Sequence, residues 1–203
     1  MIAIVNYGVG NLFSLSSSVR FLGIDARITA DADEIRKADR IILPGVGAFE
    51  DAKRKLEETG LIPVIKEETA SGKPLLGICL GMQMLFDESH EYGIHKGLSL
   101  IGGKVVPMGD HVTENVKIPH MGWNELKFKR EDPMFKYVNE GEYVYYVHSY
   151  YAKADPESII ATSLYGGIDI TGAVGSGKIY GTQFHPEKSG ETGLKILKAF
   201  SEI

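Results

Sequence analysis

The feature that most constrains this chain is a series of short, unbroken apolar runs, most of them ending at a glycine or proline turn and followed by a helical pattern. Ile2–Val5 is apolar throughout, with none of the alternation of a half-exposed strand, as expected for a strand covered on both faces. After Gly8-Val9-Gly10-Asn11, the residues Leu12, Leu15, Val19 and Leu22 recur at spacings of 3, 4 and 3, one stripe of an amphipathic helix. Ala26–Thr29 reads as a second strand and Arg40–Leu43, stopped by Pro44-Gly45, as a third. Ala48–Glu58 and Leu61–Ala70 read as helices, Pro74–Ile78 as a fourth strand and Leu80–Phe86 as the helix after it. This β-α-β rhythm predicts a parallel sheet with helices on both faces.

The second half changes character. Lys104–Val106, Lys117-Ile118, Glu125–Phe128, Tyr143–Val147, Ile159–Ser163 and Ile179–Phe184 read as strands separated by Gly and Pro, which predicts antiparallel hairpins. Thr192–Ile203 reads as a closing helix with Leu197, Phe200 and Ile203 on one stripe. There is no internal repeat and no linker. At about 150 residues per domain, 203 residues predict one α/β domain over 1–203 with an antiparallel extension.

Composition excludes several classes. With 22 Lys+Arg against 27 Asp+Glu the net charge is −5, which disfavours a nucleic-acid backbone binder. No apolar run approaches the roughly 18 residues of a membrane span, and Met1–Val5 lacks the basic start of a signal peptide, so a cytoplasmic protein is expected. Gly8-Val9-Gly10 begins a dinucleotide fingerprint, but Phe13 stands where the third glycine belongs. Gly172–Lys178 matches G-x-x-x-x-G-K, yet Ile179 replaces the magnesium-binding hydroxyl and a strand follows, so it reads as a glycine-rich hairpin turn. The six histidines show no metal-ligand spacing, and neither metal nor cofactor is expected.

The chain has one cysteine, which rules out an internal disulfide and a Cys-rich zinc site. Counting alone favours a small buried hydrophobe. Its neighbours reverse that reading. Gly77-Ile78-Cys79-Leu80-Gly81 is G-x-C-x-G between a strand and a helix, the thiol counterpart of the G-x-S-x-G elbow. Such a turn lifts the sulfur above the carboxyl edge of the sheet, sets it at a helix N-terminus that favours thiolate, and aims the Leu80 N–H where an oxyanion would form. A thiolate needs a base and the base an orienting group. His185-Pro186-Glu187, after the apolar run Ile179–Phe184, supplies both: in an extended chain residues i and i+2 share a face. Pro44-Gly45-Val46-Gly47, after the neighbouring strand, lets the Val46 N–H turn inward as a second oxyanion donor.

In this order, P-G-x-G, G-x-C-x-G-x-Q and H-P-E resemble the class I (triad) glutamine amidotransferases. Tyr7–Asn11, Gly81–Phe86, Pro119-His120-Met121-Gly122-Trp123-Asn124, Val147–Tyr150 and Gln183–Ser189 narrow the resemblance, over nearly the whole chain, to the glutaminase subunits of imidazole glycerol phosphate synthase. The resemblance implies a flavodoxin-like, three-layer fold with a mostly parallel, mixed sheet. It implies that Cys79 attacks the side-chain amide of glutamine, that His185 passes a proton to departing ammonia, and that Glu187 orients His185. Val46 and Leu80 would hold the oxyanion. Gln83 would contact the glutamine backbone and Glu91 its α-ammonium, with Gly45, Gly47, His148, Ser149 and Tyr150 completing the pocket. Ammonia would pass to a partner cyclase, a (β/α)8 barrel joined as a heterodimer, which makes imidazole glycerol phosphate and an aminoimidazole carboxamide ribotide in histidine biosynthesis. Asn11, Met121, Trp123 and Lys188 match positions at that interface, although Glu91 also suits a solvated loop, Trp123 or Met121 the core, and Lys188 an ordinary surface charge. Two alternatives stay open: another triad glutaminase, such as the one serving pyridoxal phosphate synthase, and a non-catalytic relative with a binding or regulatory role.

Overall fold

The computed structural model describes residues 1–203. The first half forms β1 (Ile2–Val5), α1 (Leu12–Phe21), β2 (Ala26–Thr29), α2 (Ala32–Lys37), β3 (Arg40–Gly45), α3 (Phe49–Glu58), α4 (Leu61–Ala70), β4 (Leu75–Cys79) and α5 (Leu80–Gln83). The second half adds β5 (Glu88–Ser89), β6 (His95–Lys96), β7 (Gly103–Pro107), β8 (His120–Glu125), β9 (Lys127–Phe128), β10 (Tyr143–His148) and β11 (Tyr150–Ala154). β12 (Ile159–Tyr165), β13 (Ile168–Ser176), β14 (Ile179–Thr182) and α6 (Gly190–Ser201) close the chain.

The main sheet has eight strands in the order β2-β1-β3-β4-β14-β13-β12-β9. The five from β2 to β14 are parallel and the rest antiparallel. That parallel order is the flavodoxin-like doubly wound one, which opens ligand crevices at the carboxyl ends of its strands. Two smaller sheets, β11-β7-β5-β6 and the ribbon β10-β8, carry the second half's extension.

Side-chain alternation along the strands divides the interior in two. Ala3, Val5, Ile41, Leu43 and Leu75 pack on one face against Ile35 of α2, Phe49, Ala52 and Leu56 of α3 and Val64 and Ile65 of α4. Ile2, Ile4, Ile42, Leu76 and Ile78 pack on the other against Leu15 and Val19 of α1 and Ile196, Leu197 and Phe200 of α6. Both faces are therefore covered, which is why these strands read as unbroken apolar runs. No helix is long and apolar enough to cross a membrane.

Several elements differ from expectation, each for a local reason. β3 runs through Pro44 to Gly45, because its ladder with β4 continues to the pair Gly45–Cys79. The helix read over Leu80–Phe86 lasts one turn, since the carbonyls of Met84, Leu85 and Phe86 are taken by the N–H groups of Leu98, Leu100, Ile101 and Ser99. The stretch Glu125–Phe128 is split: β8 ends at Glu125 in the ribbon and β9 joins the main sheet. Lys117-Ile118 is not a strand; it lies in a loop where the Lys117 carbonyl accepts from the Tyr165 hydroxyl. Gly172 and Gly175 lie inside β13, and only Gly177-Lys178 turns to β14. A Cβ at Gly172 would lie 2.6 Å from the Tyr146 hydroxyl, so these glycines serve close packing and not a turn. The closing helix starts at Gly190 and ends at Ser201.

Candidate active site

Three strand ends converge at the carboxyl edge of the sheet. β3 and β4 pair so that Gly45 lies opposite Cys79, and β4 pairs with β14 so that Ile78 lies opposite Thr182. The P-G-x-G turn, the cysteine and the segment leading to His185 are therefore neighbours, although 45, 79 and 185 are far apart in sequence.

Cys79 adopts φ 54° and ψ −110°. A non-glycine residue in such a sparsely populated region costs about 1–3 kcal/mol, which the surroundings must over-determine. They do so through glycine. A Cβ at Gly77 would lie 2.7 Å from the Gly81 carbonyl oxygen, and a Cβ at Gly81 would overlap the Leu43 carbonyl. A Cβ at Gly45 would lie 2.7 Å from the Gly81 nitrogen and 2.9 Å from the Tyr7 hydroxyl. The three glycines let β3, the elbow and α5 close on one another. Because α5 is a single turn, it brings little of the helix dipole expected from the sequence.

The base side is held by hydrogen bonds. His185 Nδ1 lies 2.9 Å from Glu187 Oε1, and both side chains are 2% exposed. The contact arises because His185 is extended while Pro186–Lys188 is a 3-10 turn, not because an extended strand continues to Glu187. The His185 N–H donates to the Tyr145 carbonyl, the Ser189 hydroxyl donates to the His185 carbonyl at 2.6 Å, and the Tyr145 N–H donates to the Ser189 oxygen. His185 Nε2 is buried without a conventional partner and has the Cys79 sulfur beside it. Burial alone would lower the His185 pKa. Hydrogen bonding and charge from Cys79 and Glu187 outweigh it and push the value up to about 10. The arrangement sets a thiol and an imidazole side by side with a carboxylate behind the ring.

Cys79 and His185 open into a cavity of about 580 Å³. Val46, Gly47, Leu80, Gln83, Glu91, His148, Ser149 and Tyr150 also line it, so most of the residues singled out in the sequence meet in one place. Gly45 lies buried behind the wall and Glu187 behind His185. The Val46 N–H, between Gly45 and Gly47, makes no hydrogen bond within the chain. Gly47 holds φ +93°. Glu91 accepts from the Phe49 N–H at 2.6 Å, capping α3, while burial raises its carboxyl pKa. His148 contributes as a neutral ring: burial, then the neighbouring His120, push its pKa down to about 3. Its Nδ1 donates to the Tyr150 carbonyl, so its Nε2 accepts from His120 Nδ1 at 3.0 Å.

Met121 and Trp123 are 61% and 55% exposed, so neither is a core residue. Trp123 lies 6.0 Å edge-on to Tyr145, whose ring also lies 5.9 Å from Lys188 Nζ. These side chains form one exposed patch on the β8–β10 ribbon. Asn11 caps α1 without a side-chain hydrogen bond.

Sequence reasoning missed several contributors. Pro107 and Gly109, from a stretch that carried no motif, form part of the wall. Tyr7 donates to the Pro44 carbonyl at 2.6 Å and so steadies the turn before Val46. His120 is stacked between Tyr146 and Tyr165 at centroid distances of 4.6 and 3.9 Å. Gln183 is fully buried with its amide 3.8 Å from the Cys79 sulfur. It stands in the stretch Gln183–Ser189 that carried the resemblance, which was the available signal.

Residues 3–202 match the family described as glutamine amidotransferase class-I. The imidazole glycerol phosphate synthase subunit HisH of Listeria monocytogenes serotype 4a (strain HCC23) is 50% identical over 203 residues, spanning 100% of this chain and 96% of the relative. The subunit of the same name from Caldanaerobacter subterraneus is 48% identical over 205 residues, spanning 100% and 98%. A solved glutamine amidotransferase superposes with a TM-score of 0.76 at 17% identity over 100% of both chains, a likeness of fold. With its own elbow and H-P-E turn set side by side, the chain belongs to the class-I glutamine amidotransferases, among the HisH subunits of imidazole glycerol phosphate synthase.

Proposed function

We propose that this protein, as one amidotransferase domain, hydrolyses glutamine to glutamate and ammonia at Cys79 and hands the ammonia to a partner cyclase. The observation that carries the reading is the His185 ring, hydrogen-bonded to Glu187 at 2.9 Å on one side and beside the Cys79 sulfur on the other. The thiolate attacks the side-chain amide carbon. The N–H groups of Leu80 and Val46 hold the developing oxyanion. His185 gives its proton to the departing nitrogen, so ammonia leaves and a thioester remains. Neutral His185 then takes a proton from water as its oxygen attacks. Collapse releases glutamate and restores the thiolate–imidazolium pair.

Gln83, with both amide hydrogens engaged by Tyr150 O and Gln183, offers its oxygen as an acceptor for substrate N–H groups. Glu91, in the wall of the same cavity, supplies the negative charge for the α-ammonium. The Met121–Trp123–Lys188 patch, with Asn11, is the docking face for a (β/α)8 cyclase in a cytoplasmic heterodimer. Half-identity to HisH subunits along the full chain favours this partner over a pyridoxal phosphate synthase subunit.

Glutamate release is to be assayed with the cyclase and its nucleotide ligand present. Turnover that depends on the cyclase supports the reading. Absence of glutamate in the assembled, liganded complex, or capture of a pyridoxal phosphate synthase subunit instead of the cyclase, overturns it.

A further inference from the structure

We infer that Gln183 is a positioning residue for the nucleophile, a buried amide that donates a hydrogen bond to the Cys79 sulfur and holds it in its attacking rotamer. The inference rests on the assignment of Cys79 as the nucleophile made above.

Which end of each amide faces the sulfur follows from one fixed acceptor. The Tyr150 carbonyl can only accept. Gln83 Nε2 lies 3.0 Å from it, so the nitrogen end of Gln83 is turned inward. The same nitrogen lies 3.0 Å from Gln183 Oε1, which uses its second hydrogen. Gln183 must therefore present its oxygen to Gln83 and its nitrogen to Cys79, at 3.8 Å from Sγ. His148 Nδ1 also donates to the Tyr150 carbonyl, filling the other lone pair of the anchor. No amide in this series can flip without placing two acceptors or two donors face to face in a buried site.

The chemistry suits that donor. Gln183 is fully buried, so its N–H is not diluted by water, and a hydrogen bond to a charged atom is stronger than one to a neutral atom. The sulfur carries charge twice in the cycle: as the attacking thiolate and as the leaving group when the thioester is hydrolysed. His185 supplies the proton economy on its side of the sulfur, and Gln183 supplies a second donor that never titrates. Because Gln183 touches sulfur and not glutamine, its loss lowers kcat, and KM for glutamine moves only through Gln83, whose amide loses one of its two acceptors.

The test uses the thiol's own chemistry, so it reads out even if glutamine proves not to be the substrate. Gln183→Met keeps the length and volume of the side chain and removes the donor to sulfur, together with the oxygen that accepts from Gln83. The pH midpoint of iodoacetamide alkylation of Cys79 is expected to rise by about one unit, the lower end of what a hydrogen bond to a charged atom is worth. In the cyclase complex kcat for glutamate release is expected to fall by a larger factor than KM rises. A folded Gln183→Met protein that alkylates with the wild-type pH midpoint overturns the inference. Should that variant fail to fold, the wild-type protein decides. The side-chain amide protons of Gln183 are expected to shift in the NMR spectrum as the Cys79 sulfur is titrated, and unchanged resonances overturn the inference. Wild-type protein that alkylates readily but releases no glutamate in the complex overturns the proposed function and leaves this inference standing.

Discussion

The two sides of the catalytic pair are held in place by different physics. On the cysteine side the constraint is steric: a backbone at φ 54° is trapped between strands that can approach only because Gly45, Gly77 and Gly81 lack a Cβ. On the histidine side the backbone is ordinary, and the constraint is a closed set of hydrogen bonds among Tyr145, Ser189, Glu187 and His185 itself. The backbone of a nucleophile must be fixed without tying up its reacting atom, and steric strain does that, leaving the sulfur to the Gln183 amide alone among neutral side-chain donors. A base must be placed in one tautomer and charge state, which only directed hydrogen bonds can fix. The two sides should therefore fail in different ways.

The largest effect expected is from Cys79→Ala, which removes the nucleophile and leaves the fold. Glutamine-dependent synthesis by the complex should vanish while ammonia-dependent synthesis persists; loss of both would assign Cys79 a structural role instead. Glu187→Gln comes next. It keeps the hydrogen-bond length but removes the charge that supports the imidazolium, and kcat should fall by about 10²–10⁴-fold, in the range of positioned acid–base groups and their orienters. The pH profile separates this from a packing defect. In the wild type His185 loses its proton as pH rises through about 10, so activity should fall there, and in Glu187→Gln that limb should move to lower pH. The same shift links to stability: a raised histidine pKa contributes stability fully below its unfolded value of about 6.5, lost as pH rises through about 10.

On the steric side, Gly81→Ala would set a Cβ against the Leu43 carbonyl. It should cost about 1–3 kcal/mol of stability in denaturant titration, with activity lowered and no movement of the pH limb. A Gly81→Ala protein of normal stability would break the contrast. The smallest effect on the free chain is expected at the exposed patch. Trp123→Ala should change stability by less than about 0.5 kcal/mol yet weaken cyclase binding by more than about 1 kcal/mol in calorimetry.

The same division explains what the sequence makes legible. The β1, β2 and β4 strands, the α1, α3 and α4 helices and the cysteine elbow are written in local patterns, because covered strands, amphipathic stripes and flanking glycines act over a few residues. α2 escapes, being six residues with Ile35 alone buried, although Asp31 caps it through bonds to the Asp33 and Glu34 N–H groups. β13 reads as a turn because its glycines answer to Tyr146, Ile160 and Tyr180, all distant in sequence or on another strand. Gln183 and His120 matter through partners about 28 to 104 positions away, which no periodicity encodes. His185 and Glu187 stand out as a motif, yet the 3-10 turn that joins them does not, since Pro186 fits an extended or a turning chain equally well.

Whether the strained Cys79 and the hydrogen-bonded His185 act as one unit on glutamine is read by rapid chemical quench of the complex with the cyclase and its nucleotide ligand, turning over glutamine, followed by peptide mass analysis. A glutamyl adduct on the peptide containing Cys79, absent from Cys79→Ala, is the expected result. Glutamate formed with no adduct at Cys79, or with an adduct on another residue, would contradict it.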